Sequence, residues 1–180
     1  EEVRNGNGAF VSGINLEVNY APSKAITWQS GFTWQMAQFE EEQVIYEPEN
    51  PQEGELVTSK DFLRTPEAYG FVNVNYDIDG RWNFSLSNVI TGPMQVPDIL
   101  QSTGAVAIRN SDWFWDSTVK ASHHFHIGDR LHIEVNAGVQ NLFDSFQDDF
   151  QVGPTRDAGY IYGPARPRTY FFGLKLSNND

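Results

Sequence analysis

Metal or proton chemistry would fall first to the four histidines. His123, His124 and His126 crowd one run, and His132 follows a short turn. If that run is a strand, His124 and His126 share a face, and His132 can lie across the hairpin from one of them. Two or three imidazoles could then meet an ion. No other ligands converge at a recognisable spacing, so a role without metal is the favoured reading. A second candidate is acidic: Glu40, Glu41 and Glu42, followed by Glu47, Glu49, Glu53 and Glu55. Such runs are usually solvated loops, and a bound calcium ion is the sharper alternative, without a ligand loop of fixed spacing behind it. A third group lies between Asn141 and Arg168, where Asp148, Asp149, Arg156, Asp157, Tyr160 and Tyr162 would offer a solute charges, phenols and rings. Gly-x-Ser-x-Gly, HExxH and phosphate-loop patterns are absent, and no nucleophile is placed beside a base. The expectation is a non-enzyme with no catalytic residue, cofactor or metal site.

Composition narrows the classes further. The 180 residues carry 12 Lys and Arg against 24 Asp and Glu, a formal charge of -12, which argues against nucleic acid as a partner. Without cysteine there is no disulfide framework and no thiolate ligand or nucleophile. Mean hydropathy is -0.47, and no apolar run approaches the roughly 18 to 20 residues of a membrane helix. A strand wall that shows oil only at every second residue is compatible with both values. Glu1 to Gly6 has no basic segment followed by an apolar one, so any export signal is expected upstream or already removed.

The elements that must position these groups show themselves through period two. Ile14, Leu16, Val18 and Tyr20 alternate with polar residues, as do Ile26, Trp28, Phe32, Trp34 and Met36. The pattern returns at Val72 to Ile78, Trp82 to Ile90, Trp113 to Ile127, Leu131 to Val139 and Tyr170 to Leu176. No segment sustains a helical spacing, and Gly, Pro, Asn and Asp bound the runs. The reading is all-β: an antiparallel up-and-down meander of about seven strands over residues 1 to 180. Connections alternate between tight turns (Ala21 to Lys24, Asp77 to Gly80, Ile127 to Arg130) and long polar stretches (about Glu40 to Thr65, Gly92 to Ser111, Asn141 to Arg168). Short turns on one rim and long loops on the other is the layout of a transmembrane barrel. Aromatic residues mark both ends: Tyr20, Trp28, Tyr76, Trp82 and Phe125 by the turns, and Trp34, Phe39, Tyr69, Phe71, Trp113 and Trp115 by the loops.

The last third carries a specific pattern. Asn141-Leu142-Phe143-Asp144 follows a strand ending in Gln140, and a polar loop then leads to Pro167-Arg168-Thr169-Tyr170-Phe171-Phe172-Gly173-Leu174-Lys175-Leu176. This resembles the C-terminal end of TonB-dependent outer-membrane receptors, in which an NLFD-type corner precedes the final strand. Asn141, Leu142, Phe143, Pro167, Arg168, Tyr170, Phe172 and Gly173 are then structural. The tail Ser177 to Asp180 departs from the terminal aromatic residue of many outer-membrane proteins.

The resemblance implies a wall fragment of a twenty-two-stranded barrel whose plug and TonB-engaging segment lie elsewhere. It implies outer-membrane lipid and lipopolysaccharide as neighbours, the TonB complex as a partner through that other part, and a scarce nutrient or small-molecule chelate as cargo: a ferric siderophore, haem or cobalamin, with glycans also possible. Because such receptors capture ligand with their outer loops, it points to Asp148, Asp149, Arg156, Tyr160 and Tyr162 as ligand contacts. The competing expectations are a small complete outer-membrane barrel, either adhesin or structural, and a soluble β-sandwich binding module. The sandwich requires Trp28, Phe32, Trp34, Trp82 and Phe84 to be buried within the chain.

Overall fold

The structure, a computed structural model, describes residues 8–50, 54–127 and 131–178. The N-terminal Glu1 to Gly6, Glu53 of the acidic loop, Gly128 to Arg130 of the third tight turn and the last two residues of the tail lie outside the described residues. Ten strands follow one another, with no helix among the described residues: β1 (Ala9–Tyr20), β2 (Ile26–Tyr46), β3 (Val57–Asp61), β4 (Ala68–Ile78), β5 (Trp82–Thr91), β6 (Gln95–Ile99), β7 (Val106–Asn110), β8 (Phe114–Ile127), β9 (Leu131–Gln140) and β10 (Thr169–Asn178). The seven expected from period two form one antiparallel path, β1-β2-β4-β5-β8-β9-β10.

Three short strands correct the expectation that the long stretches are plain loops. β2 runs on to Tyr46, β3 folds back onto it within the first stretch, and β6 and β7 make a separate hairpin within the second. The pairing of β3 slips register twice along β2. Five-residue strands with broken pairing leave too short a record for period two to be recognised.

Register sorts the side chains of the long path by chemistry. Ile14 faces Trp34, and Leu16 faces Phe32. Val74 sits between Trp28 and Leu86. Val119 lies between Leu86 and Val139, and Ala137 faces Phe172. All of these fall on one face of the sheet. The opposite face carries Asn15 against Thr33, Asn73 against Ser87 and Lys120, whose ammonium lies 3.7 Å from Glu134. Among the described residues nothing covers the apolar face: Trp28, Phe32, Trp34, Trp82 and Phe84 are 41% to 55% exposed. That corrects the sandwich expectation, which needs a second sheet over these rings. The buried hydrophobic residues Val96, Ala105, Phe114 and Tyr160 belong to the loops or to their junction with the strands.

The second tight turn shows how sequence sets register. Asp79 and Gly80 both have positive φ, at 53° and 65°, and the Arg81 amide donates to the Ile78 carbonyl at 3.0 Å. Asp-Gly supplies the positive-φ pair of a tight turn, and with Arg81 it leaves three residues between Ile78 and Trp82, which face each other.

Pairing also fixes the slope of the strands. Passing from β1 to β2, from β2 to β4 and from β5 to β8, the turn-side end drops by two, two and four residues, eight in all. The other steps are level. With the turn ends on one plane, eight residues at roughly 3.3 Å over the intervals between seven strands at about 4.8 Å tilt the strands by about 40°. That is the inclination of barrel strands. β1 and β10 form the two edges of the path and do not pair with each other.

Candidate functional site

At the loop rim, β9 ends in a corner built on one amide. Asn141 is 1% exposed and sits at φ 47°, a left-handed conformation that Asn tolerates better than most residues. Its Nδ2 donates to the carbonyls of Ser145 (3.0 Å) and Arg166 (2.8 Å), and its Oδ1 accepts from the Ser145 amide (2.8 Å). Asp144, at φ 55°, accepts the Arg168 amide at 2.8 Å, and Arg168 Nε donates to the Leu142 carbonyl at 3.0 Å. The start and end of the third loop are thereby tied together across 25 residues of sequence. Phe143 is exposed beside the apolar face, as are Tyr170 and Phe172. Gly173 lies against the Asn136 amide group, which a Cβ would meet at 2.7 Å.

Within that loop the residues expected to contact ligand divide in two. Asp149 gathers Tyr160 Oη on Oδ2 and Tyr162 Oη on Oδ1, each at 2.6 Å, with Gln147 Nε2 at 3.1 Å. Burial alone would raise the pKa of this carboxyl, but the three donors together hold it below the ordinary carboxylate value. Both phenols are pushed up, by burial first and then by the bond to Asp149. Tyr160 is buried, and its ring meets that of Tyr162 at 5.4 Å, which in turn meets Phe114 at 5.7 Å. Asp148 and Arg156 are exposed, as is Asp149 itself. Arg156, Tyr160 and Tyr162 line one pocket of about 340 Å³ with Phe146, Phe150 and Arg166.

Several residues that hold this site carry no local sequence signal. Asp98 of β6 pairs with Arg109 of β7 at 2.6 Å, which raises the guanidinium pKa chiefly through that hydrogen bond. Gln151 Nε2 reaches Asp98 at 2.5 Å and the Ile99 carbonyl at 2.8 Å, and Asp157 accepts the Ile99 amide at 3.0 Å. Arg64, after β3, donates to the carbonyls of Ile161 (2.8 Å) and Gly159. Gln95 joins Asp61 and Ser59, each at 2.7 Å. The three long stretches are thus one hydrogen-bonded cap, with a second cleft of about 350 Å³ between the first two, lined by Gln35, Asp61 and Gln95. The contacts span up to 97 residues, a separation at which sequence spacing is silent.

The histidines sit at the turn rim, far along the strands from this cap. His126 faces His132 with ring centroids 4.6 Å apart, and His124 faces Glu134, all on the polar face. His123 is on the apolar face between Trp82 (4.2 Å) and Phe125 (4.3 Å). Among the described residues no three His, Asp or Glu are grouped to hold a metal. In the acidic stretch, Thr58 Oγ1 donates to Glu42 at 2.7 Å across the paired strands.

No family model matches the sequence, and no curated protein matches it. Solved structures do. The chain superposes with a TM-score of 0.62 and 15% identity on the ferripyoverdine receptor of the outer membrane of Pseudomonas aeruginosa, bound to ferripyoverdine, covering 95% of this chain and 20% of that one. The FpvAI-pyocin S2 complex gives 0.63 and 16% over 95% and 19%. A mutant of the ferric enterobactin receptor PfeA of the same organism gives 0.55 and 15% over 95% and 22%. The chain therefore spans about a fifth of the length of the receptors it matches. With the open strand path, the uncovered apolar face and the tilt of the strands, these likenesses show that the chain has the fold of a segment of the strand wall of the outer-membrane receptors on which it superposes.

Proposed function

We propose that this chain is part of the barrel wall of a TonB-dependent receptor in a bacterial outer membrane, serving uptake of a scarce nutrient such as a ferric siderophore, haem or cobalamin. The observation that carries the proposal is the apolar face, seven strands wide and free of any covering layer among the described residues, opposite a face rich in Asn, Gln, Ser and Thr. In water such a face is costly at about 25 cal/mol per Å², whereas in lipid it is the favoured surface. Membrane lipid lies against that face, and lipopolysaccharide meets its loop-rim edge. A segment outside this chain engages the TonB complex. The small-molecule chelate meets the hydrogen-bonded loops, where Asp148, Asp149, Arg156, Tyr160 and Tyr162 make or frame the contact surface. The structural neighbours support this reading, since they include receptors for ferripyoverdine and ferric enterobactin.

Because the sequence holds no cysteine, single cysteines introduced here report one position each within it. The test places a nitroxide label at Leu86 and, separately, at Ser87 in the intact protein reconstituted into bilayers. Oxygen, which partitions into lipid, should relax the label at Leu86, and a water-soluble nickel chelate should relax the one at Ser87. Equal access of the nickel chelate to both positions would refute the wall assignment.

A further inference from the structure

We infer that the pocket inside the third loop is a subsite for a ring-bearing anion, a solute in which a carboxylate or phenolate is attached to a planar ring. The inference rests on the nutrient-receptor reading and names the chemical class that this loop takes. The pocket holds about 340 Å³, room for a small ring system, and its rings include Phe146, Phe150 and Tyr162. Phe146 and Phe150 are 44% and 53% exposed, so their faces are open to a solute. The lining carries two guanidiniums, Arg156 and Arg166, against one carboxylate, Asp157, and this balance sets the sign of that solute. The bordering carboxylate of Asp157 already accepts the amides of Ile99 at 3.0 Å and Gly159 at 2.7 Å, one on each oxygen. Asp149, behind Tyr160 and Tyr162, has both oxygens taken by their hydroxyls. The two guanidiniums on the pocket are uncommitted by comparison. Among the described residues Arg156 has one long bond, 3.3 Å to the Gly153 carbonyl, and Arg166 takes part only through its backbone carbonyl, which Asn141 holds.

Two available forks beside exposed rings, in a chain whose formal charge is -12, make a local exception that a plain solvated loop does not need. Arginine suits such a ligand twice over: its planar fork matches a carboxylate, and its face stacks on rings. The loop is also pre-shaped. Asn141 pins its two ends, Gln151 and Asp157 fasten its middle to β6, and Arg64 clips its far side, so little ordering is required when the solute enters.

The experiment titrates the intact protein in detergent with salicylate, with benzyl alcohol as its uncharged relative and with inorganic phosphate as an anion without a ring. Binding is read by calorimetry and by saturation transfer to the probe's ring protons. Salicylate should bind at least tenfold more tightly than either control. The double variant Arg156→Gln/Arg166→Gln should lose at least tenfold, the matching Lys pair should recover part of the loss, and Arg81→Gln at the turn rim should change nothing. Benzyl alcohol or phosphate binding as well as salicylate, no probe binding, or an unchanged double variant would each overturn the inference. Membrane insertion, followed by the labels at Leu86 and Ser87, is a separate readout. Loss of salicylate binding with normal insertion removes the subsite alone, and wet labels with intact salicylate binding remove the wall reading alone.

Discussion

Replacing Asn141 by alanine removes three hydrogen bonds at a residue 1% exposed and forces a residue with a Cβ but no side-chain amide to hold φ 47°. Net values of about 0.5 to 1.5 kcal/mol per bond, plus roughly 1 kcal/mol for the left-handed backbone, put the local cost at about 3 to 4 kcal/mol. The carbonyls of Ser145 and Arg166 and the amide of Ser145 lose their partner together, so the loss falls on the loop closure and not on the strand ladder. Hydrogen exchange of the intact protein in detergent reads it directly. Amides of the third loop should exchange on the order of a hundredfold faster, since each 1.4 kcal/mol is a factor of ten, while β4 and β5 keep their protection. Asn141→Gly separates the two contributions: it relieves the backbone and loses only the bonds, so its effect should be smaller by the backbone share. Exchange of the Ser145 amide unchanged in Asn141→Ala would refute the corner as the closure of this loop.

Four further outcomes follow from the same geometry. Arg64→Ala should raise exchange around Gly159 and Ile161 about tenfold and loosen the segment after β3 with it, because one guanidinium serves both carbonyls. The Asp149 carboxyl is lowered by folding, so its contribution is present above the ordinary carboxylate value and is lost as pH falls through the folded one. The raised phenols of Tyr160 and Tyr162 contribute below about pH 10 and lose that contribution as alkali ionises them in the opened loop. Tyrosine fluorescence of the loop should therefore change at both ends of the pH range, and Asp149→Asn should abolish the acid transition. Leu86→Arg should cost about 2 to 4 kcal/mol in a bilayer unfolding assay, with Ser87→Arg near neutral, since the two lie on opposite faces. Gly138→Ala should destabilise by about 1 to 3 kcal/mol, because its Cβ meets the Val119 carbonyl and the Phe171 ring, and Phe171→Ala should relieve only the second clash.

The strands that sequence made legible are those long enough to repeat an alternation: Ile14 to Tyr20 and Trp82 to Ser87 each show several turns of the pleat with oil on one side only. β6 and β7, five residues each, escape it because Pro97 and Asp98 interrupt the apolar pattern of β6, and the buried Asp98 is explained by Arg109 on the neighbouring strand and Gln151 of the third loop. In the loop, the types Asp149, Tyr160 and Tyr162 were readable, but their bonding to one another was not, since a carboxylate and two phenols 11 and 13 residues away have no periodic relation in an irregular segment. The histidines show the converse. Alternation correctly sets His124 and His126 on one face, and pairing adds His132 opposite His126, while the separation of His123 among aromatic rings comes from the neighbouring strand that carries Trp82.

The stagger of the strands has a mechanical consequence. A straight row of paired residues starts at Tyr20, beside the first tight turn, passes Trp28, Val74, Leu86, Val119 and Val139, and ends at Tyr170, where the third loop enters β10. One diagonal of backbone therefore joins opposite rims. A pull on the third loop along β10 loads its ladder in shear, many hydrogen bonds sharing the force at once, and hands the load across the sheet toward the other rim. A pull perpendicular to β10 would open the same bonds one pair at a time, so this wall is stiff toward forces along its strands and weak toward forces that peel its edge.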